Sequence, residues 1–288
     1  MNRHFLAAML LPATVVLTLT SAGRASDPAS AAPAPSDQAK ILVLTGNEYP
    51  GHKWRETAPL IARFLATDRR LAVAVNVDPQ FLASSELHTY DAIVLNYLNW
   101  ESPDPGEKAR ANLKEFIAEG KGLVMVHNAC AAFQDWPEFR EIAGRAWNPN
   151  RVRGHDPHGP FLVEITGVDH PITKGMESFE TTDELYTCLF TSGRPIEVLA
   201  KAASKVDKKD YPMALVNHYG KGRVFLCVLG HDVKALSPEA VQELYRRGTA
   251  WAAGLAPLCP RFSKSGLSGD NAATGGEKRT GKDVSSVP

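Results

Sequence analysis

Four short, near-continuous apolar runs mark the first half of the chain: KILVLTG (40–46), LAVAVNV (71–77), DAIVLNY (91–97) and GLVMVH (122–127). Apolar runs of this length, without polar alternation, are the pattern of strands buried on both faces, as in a parallel sheet. Between them, WRETAPLIARFLAT and DPGEKARANLKEFIAEG carry apolar residues at helical spacing. The second is expected to begin with Asp104 and Pro105 as N-cap and first-turn residues and to end at Gly120. Strand and helix alternating in this way predict a doubly wound α/β domain with right-handed crossovers. After Trp136 the pattern changes. FLVEIT, IEVLAKA and PMALVNHYGKGRVFLCVLG read as strands, the last a hairpin turning at Gly220 to Gly222. SPEAVQELYRRGTAWAAG closes the pattern as a helix capped by Ser237 and Pro238. The parallel sheet is therefore expected to be extended by antiparallel strands.

The flanks differ from this core. Arg3 and His4 precede an apolar run from Phe5 to Leu19 and then the small-residue stretch TSAGRAS, so residues 1–25 read as a signal peptide and the chain as exported, to the periplasm or beyond. No later stretch approaches the roughly 18 apolar residues of a membrane span, and no membrane anchor is expected. Residues 26–39 are a Pro/Ala/Ser linker, 40–260 the folded domain, and 261–288 a polar, Gly/Ser-rich tail with too little apolar surface to order itself.

The whole chain has 32 basic and 32 acidic residues; removal of Arg3 and Arg24 with the signal leaves 30 against 32. A balance near neutrality gives no electrostatic reason to expect nucleic acid or an anionic membrane as partner. Cys130, Cys188, Cys227 and Cys259 stand far apart with no CxxC pair, so at most one disulfide is expected, with no pairing assigned. There is no GxSxG, no GxGxxG after the first strand and no P-loop, which argues against serine-hydrolase, hydride-transfer and phosphoryl-transfer chemistry.

In an open α/β sheet, ligands bind beyond the carboxyl ends of the strands, and here those ends are polar and rich in histidine. The first strand is followed by Glu48 and His52, the third by Asn99 and Trp100, the fourth by His127 and Asn128, and the late strand RVFLCVLG by His231 and Asp232. TTDELYT offers Asp183 and Glu184, which equally suit the first turn of a helix, where carboxylates favour the dipole. GHDPHGP holds His155 and His158, and Pro157 between them forbids a helical metal pair, leaving a loop near the site. Asp169, His170 and Pro171 suit a turn, and His88 and His218 the surface.

Four segments, ILVLTGNEYPGHKW, GKGLVMVHNACAAFQDWPEF, VDHPITKGMESFETTDELYT and GKGRVFLCVLGHD followed by a helix ending GTAWAAG, resemble the ThuA-like (trehalose utilisation) family, in order and over nearly all of residues 40–256. The resemblance implies a class I glutamine amidotransferase-like, flavodoxin-like fold. In the amidotransferases the turn after the fourth strand holds a catalytic cysteine. Here His127 stands at that place and Cys130 follows three residues later, so amidotransferase chemistry is not carried over. The resemblance further implies carbohydrate catabolism, with a small-molecule disaccharide or glycoside first oxidised to a 3-keto form by a partner sugar oxidoreductase.

Three readings follow. In the first, a lyase or hydrolase acts on keto-glycosides by acid–base chemistry, with His127, His231, Glu184 and Asp183 as its catalytic groups. Glu48, His52, Trp100, Asn128, His155, His158 and Asp232 then bind substrate. A variant holds a divalent metal such as zinc with some of His52, His127, Glu184 and His231, since imidazole and carboxylate suit such ions. The second reading is a hydrolase with Cys130 as nucleophile. The third is a non-catalytic sugar-binding module with a crevice lined by Trp54, Trp100 and Trp136.

Overall fold

The computed structural model describes residues 38–258. The signal peptide, the tail, Cys259 and all but the last two residues of the linker therefore lie outside the described residues. Among the described residues, eleven strands and five α-helices follow in chain order: β1 (Ala39–Leu44), α1 (Trp54–Leu65), β2 (Leu71–Asn76), β3 (Ala92–Leu95), α2 (Glu107–Ala118), β4 (Gly122–Val126), α3 (Pro137–Ala143), β5 (Arg145–Ala146), β6 (Gly159–Ile165), β7 (Phe179–Asp183), β8 (Phe190–Thr191), β9 (Glu197–Ala203), β10 (Asp210–Tyr219), β11 (Gly222–Cys227), α4 (Val233–Leu236) and α5 (Glu239–Ala252). Nine strands form one sheet in the order β2-β1-β3-β4-β11-β10-β9-β6-β7, while β5 and β8 form a separate small ribbon. The β2-β1-β3-β4-β11 half is parallel and the rest antiparallel, so the fold is the expected doubly wound sheet with an antiparallel extension.

The order 2-1-3-4 is flavodoxin-like, with the chain reversing direction across the sheet between β1 and β3. β3 and β4 are buried at every position because helices cover both faces. Two glycines make that close packing possible. A Cβ on Gly122 would stand 2.5 Å from the Ala252 carbonyl oxygen of α5, and one on Gly222 only 2.1 Å from the Ile117 carbonyl oxygen of α2. Gly122 pairs with Arg223, so Gly222 faces the other way and the two helices lie on opposite faces. α1 packs beside α5, with the Phe64 and Tyr245 rings 6.0 Å apart.

Four local expectations are corrected. LAVAVNV is not buried on both faces: β2 is the edge of the sheet, and Val75 and Val77 are exposed. Helix α2 starts two residues later than expected, with Gly106 as N-cap at φ 96°, because the Asp104 carboxylate is used upstream, accepting from the Gly106 N–H at 2.7 Å. Ser237 does not cap α5; it ends α4, and Pro238 alone is the N-cap of α5. Asp183 ends a strand rather than opening a helix. His88 is half-buried, 2.8 Å from the Asn112 Oδ1, whereas His218 is exposed. No disulfide forms among the described residues: Cys130, Cys188 and Cys227 are free and buried.

Candidate functional site

The parallel half of the sheet sends its carboxyl ends to one side, and the loops after β1, β4 and β11 meet there. β4 runs straight into His127, whose φ of 46° puts a non-glycine residue in the left-handed region at the head of a tight 3-10 turn, His127–Ala131. That conformation costs about 1–2 kcal/mol and persists only where surrounding contacts hold it. Here His127 Nδ1 donates to the Val228 carbonyl oxygen at 2.7 Å, just past β11. The bond makes Nδ1 the donor and turns Nε2 toward the centre of the site.

Three groups crowd that nitrogen. His52 Nε2 lies 3.1 Å away, the Tyr186 hydroxyl 2.8 Å and Glu184 Oε2 3.4 Å. Glu184 Oε2 also lies 3.3 Å from His231 Nδ1, and Oε1 3.5 Å from His155 Nε2. The ligand atoms of His52, His127, Glu184 and His231 all fall within 4.8 Å of one another. Burial and its imidazole neighbours His127 and His231 lower the pKa of His52 to about 2, so it is neutral. For Glu184, burial works against ionisation, but the contacts with His127 and His231 outweigh it and hold the carboxyl far below the usual range. His231 is raised, first by its contact with Glu184, against the opposing effect of burial.

The crevice above this cluster has a volume of about 180 Å³, with walls that include Tyr49, Trp100, Trp147 and Tyr186. Trp100 and Trp147 meet edge to face at 5.6 Å, and beyond them opens a larger cavity of about 660 Å³ that also reaches Asp104 and Asp135. Trp100 is anchored by its Nε1–H, which donates to the Ala131 carbonyl oxygen at 2.9 Å. Asn128 and His155 line the small crevice, and the exposed His158 stands at its rim, 5.4 Å from the His231 ring and 3.8 Å from the Asp232 carboxylate.

Three expected site residues have other places. Glu48 points away to solvent and pairs with Arg55 at 2.7 Å. Asp183 is fully buried beneath the cluster, where it accepts from the backbone N–H groups of Gly230, Glu184 and His231 at 2.6, 2.8 and 3.3 Å. Burial raises its carboxyl, and its part is to lock the backbone of two cluster residues. Asp232 caps α4, accepting from the Ala235 N–H. Of the three tryptophans expected to line a sugar crevice, only Trp100 does so. Trp136 packs on Phe133 and Phe139, and Trp54 borders a narrow pocket of about 10 Å³ together with His52.

Residues that sequence reasoning missed are Tyr49, Trp147 and Tyr186. Tyr186 lies inside the quoted TTDELYT, two residues beyond Glu184 and past the end of β7, where no periodicity marks it. Trp147, on the loop after β5, had none. Cys130 is fully buried, and burial pushes its thiol well up, so the thiolate that a nucleophile requires is disfavoured.

The comparisons with known proteins agree with this fold. A ThuA-like protein from Parabacteroides merdae superposes with a TM-score of 0.66 at 23% identity, covering 77% of this chain and 93% of its own. A second, from Bacteroides uniformis, gives 0.64 at 21%, covering 79% and 95%. The cytoplasmic protein STM1381 from Salmonella typhimurium gives 0.53 at 18%, covering 75% and 97%. At these identities the likeness is one of fold. No curated protein matches the chain. The family model described as ThuA, trehalose utilisation, matches residues 40–252, a span that carries every strand of the parallel sheet and every residue of the imidazole–carboxylate cluster. Matched over that span, the chain belongs to the ThuA (trehalose utilisation) family.

Proposed function

We propose that this protein processes oxidised sugars, taking a 3-keto disaccharide or glycoside into the crevice and breaking its bond at C1. The observation that carries the reading is the convergence of Glu184 with the imidazoles of His52, His127 and His231 below an aromatic-walled crevice, in a chain of the trehalose-utilisation family. A ketone at C3 acidifies the C2 proton. A base takes that proton, its electron pair forms a C1–C2 double bond, and the C1–O bond breaks with the departing oxygen taking a proton from an acid. Addition of water across the new double bond turns the elimination into a net hydrolysis.

Glu184 is held ionised and His231 raised, so a proton acceptor and a proton donor stand 3.3 Å apart. His155 adds a second imidazole at the crevice wall. His127 is 1% exposed and does not line the crevice, so its part is to position the groups above it rather than to meet substrate. The aromatic walls suit the apolar faces of sugar rings. Small-molecule pockets usually span about 300–1,000 Å³, and the 660 Å³ cavity beyond Trp100 and Trp147 provides the room that a second ring needs. The ketone must come from a separate sugar oxidoreductase, since the chain carries no dinucleotide fingerprint. We place the reaction outside the cytoplasm, with residues 1–25 as a cleaved signal, 26–39 as linker, 40–260 as the catalytic domain and 261–288 as a tail. Among the described residues no helix is long and apolar enough to cross a membrane.

The test is incubation of the purified protein with 3-keto-glucosides, 3-keto-trehalose and their unoxidised parents, following release of the C1 substituent by NMR. Turnover of the keto forms alone, reduced about 100-fold or more by Glu184→Gln, is the expected result. Tight binding without turnover would replace it with the sugar-binding module, and turnover of unoxidised glycosides would overturn the elimination chemistry.

A further inference from the structure

We infer that His52, His127, Glu184 and His231 form a binding site for one divalent transition-metal ion of the zinc class. The inference goes beyond the sugar reading and stands without it. The four residues come from four separate segments, the loops that follow β1, β4, β7 and β11, so their convergence is a product of the fold and not of sequence proximity. A tetrahedral zinc site with metal–ligand bonds of about 2.0–2.1 Å sets its ligand atoms about 3.3 Å from one another. His52 Nε2 to His127 Nε2 is 3.1 Å, His127 Nε2 to Glu184 Oε2 is 3.4 Å, and Glu184 Oε2 to His231 Nδ1 is 3.3 Å.

The surroundings fit ligand chemistry as well as the distances do. A metal-bound imidazole characteristically donates its other N–H to a carbonyl or carboxylate, as His127 Nδ1 does to Val228. Its Nε2 can make only one hydrogen bond yet is approached by His52, Tyr186 and Glu184 together. His231 Nδ1 is buried and faces Glu184 Oε2 at 3.3 Å without the alignment of a hydrogen bond. A cation at the centre, displacing any proton held between His231 and Glu184, is met by one lone pair from each of the four residues at once and replaces the Tyr186 O–H at His127 Nε2. The His52 Nδ1 and Trp54 Nε1 atoms also lack a protein partner, and both residues border a narrow pocket of about 10 Å³, close to the space of one water, which would complete the outer contacts of His52. Asp183, through the backbone of Glu184 and His231, holds two of the four ligands in register. With the four committed to a cation, Glu184 and His231 no longer serve as the free base and acid, and proton transfer in the metal-bound protein falls to His155, the imidazole left at the crevice wall.

The experiment uses the full chain without a polyhistidine tag, stripped by chelator and titrated with Zn²⁺ and with Co²⁺ as a spectroscopic probe. One equivalent of Zn²⁺ by elemental analysis, a higher melting temperature, and visible Co²⁺ absorption of tetrahedral intensity are expected. The Kd should rise about 100-fold or more in Glu184→Gln and His231→Ala. It should stay unchanged in His218→Ala, whose imidazole is exposed on β10 outside the crevice. Absence of stoichiometric Zn²⁺, or equal binding by wild type, Glu184→Gln and His231→Ala, overturns the inference. If those variants do not fold, the wild-type Co²⁺ spectrum decides: a weak octahedral aquo-type spectrum overturns the site. No sugar enters the assay, so its outcome is separate from that of the keto-glycoside test.

Discussion

Replacing Cys130 with alanine separates a packing thiol from a catalytic one. The residue is 0% exposed in the 3-10 turn that follows His127, and burial pushes its thiol away from the thiolate form. Losing one sulfur resembles losing one methylene group: about 0.8 kcal/mol of transfer free energy, rising to about 2 kcal/mol if the small void does not close. In a domain of this size, 1 kcal/mol moves the melting temperature by about 2–4 °C, so a fall of about 2–8 °C is expected in calorimetry. Turnover of a 3-keto-glucoside by the folded variant should stay within about threefold of wild type. Deleting a true nucleophile costs about 10³-fold or more, an effect far outside that range. His127→Ala should do the opposite, losing about 100-fold or more in turnover, because it removes the imidazole that supports the cluster. A Cys130→Ala protein that melts in the expected range but has lost 10³-fold in activity would refute the acid–base reading and reinstate the nucleophile.

Gly222→Ala places a Cβ 2.1 Å from the Ile117 carbonyl oxygen; the overpacking cost of about 1–3 kcal/mol outweighs the gain of about 0.4–1 kcal/mol from a stiffer unfolded chain. The urea midpoint should fall with an unchanged slope, and an unaltered midpoint would contradict the close packing of α2 on β11. Trp100→Ala removes an aromatic wall of the crevice and should raise KM about 5- to 30-fold with kcat little changed; a loss in kcat alone would place Trp100 outside substrate binding. Burial tends to raise the carboxyl of Asp68, but its hydrogen bonds with Arg70, at 2.6 and 2.9 Å, prevail and lower it. A depressed carboxyl contributes stability above its unfolded value near 3.8 that is lost as pH falls through the folded value. Asp68→Asn should therefore be less stable than wild type by about 1–2 kcal/mol at pH 7, with the deficit closing below pH 3.8 in urea titrations. A deficit independent of pH would show that the ion pair is not its cause.

The parallel half of the sheet was legible in the chain itself, because β1, β3 and β4 are apolar on both faces and lie between segments of helical period, a pattern no half-exposed strand shows. The reading failed at β2, where the same apolar run stands at an edge: strand order is a matter of long-range pairing, which local hydrophobicity does not encode. His127, His52 and His231 were legible as candidates by the rule that strand ends meet, and Glu184 by its place in TTDELYT. Their mutual distances were not, since each comes from a different loop and only the closure of the sheet sets 3.1–3.4 Å between them. The same holds for Asp183 and Glu184, adjacent in sequence and alike in chemistry. The chain leaves β7 between them, with one turned down to the backbone of Gly230 and the other into the cluster, so the tertiary structure makes one a brace and the other a candidate ligand. Glu48 and Trp136 carry the right chemistry in the right stretch of chain but point to Arg55 and to Phe133, whereas Trp147 and Tyr186 supply the crevice walls. Sequence specifies which residue types reach the carboxyl edge of the sheet; side-chain direction there follows from packing against elements a hundred residues away.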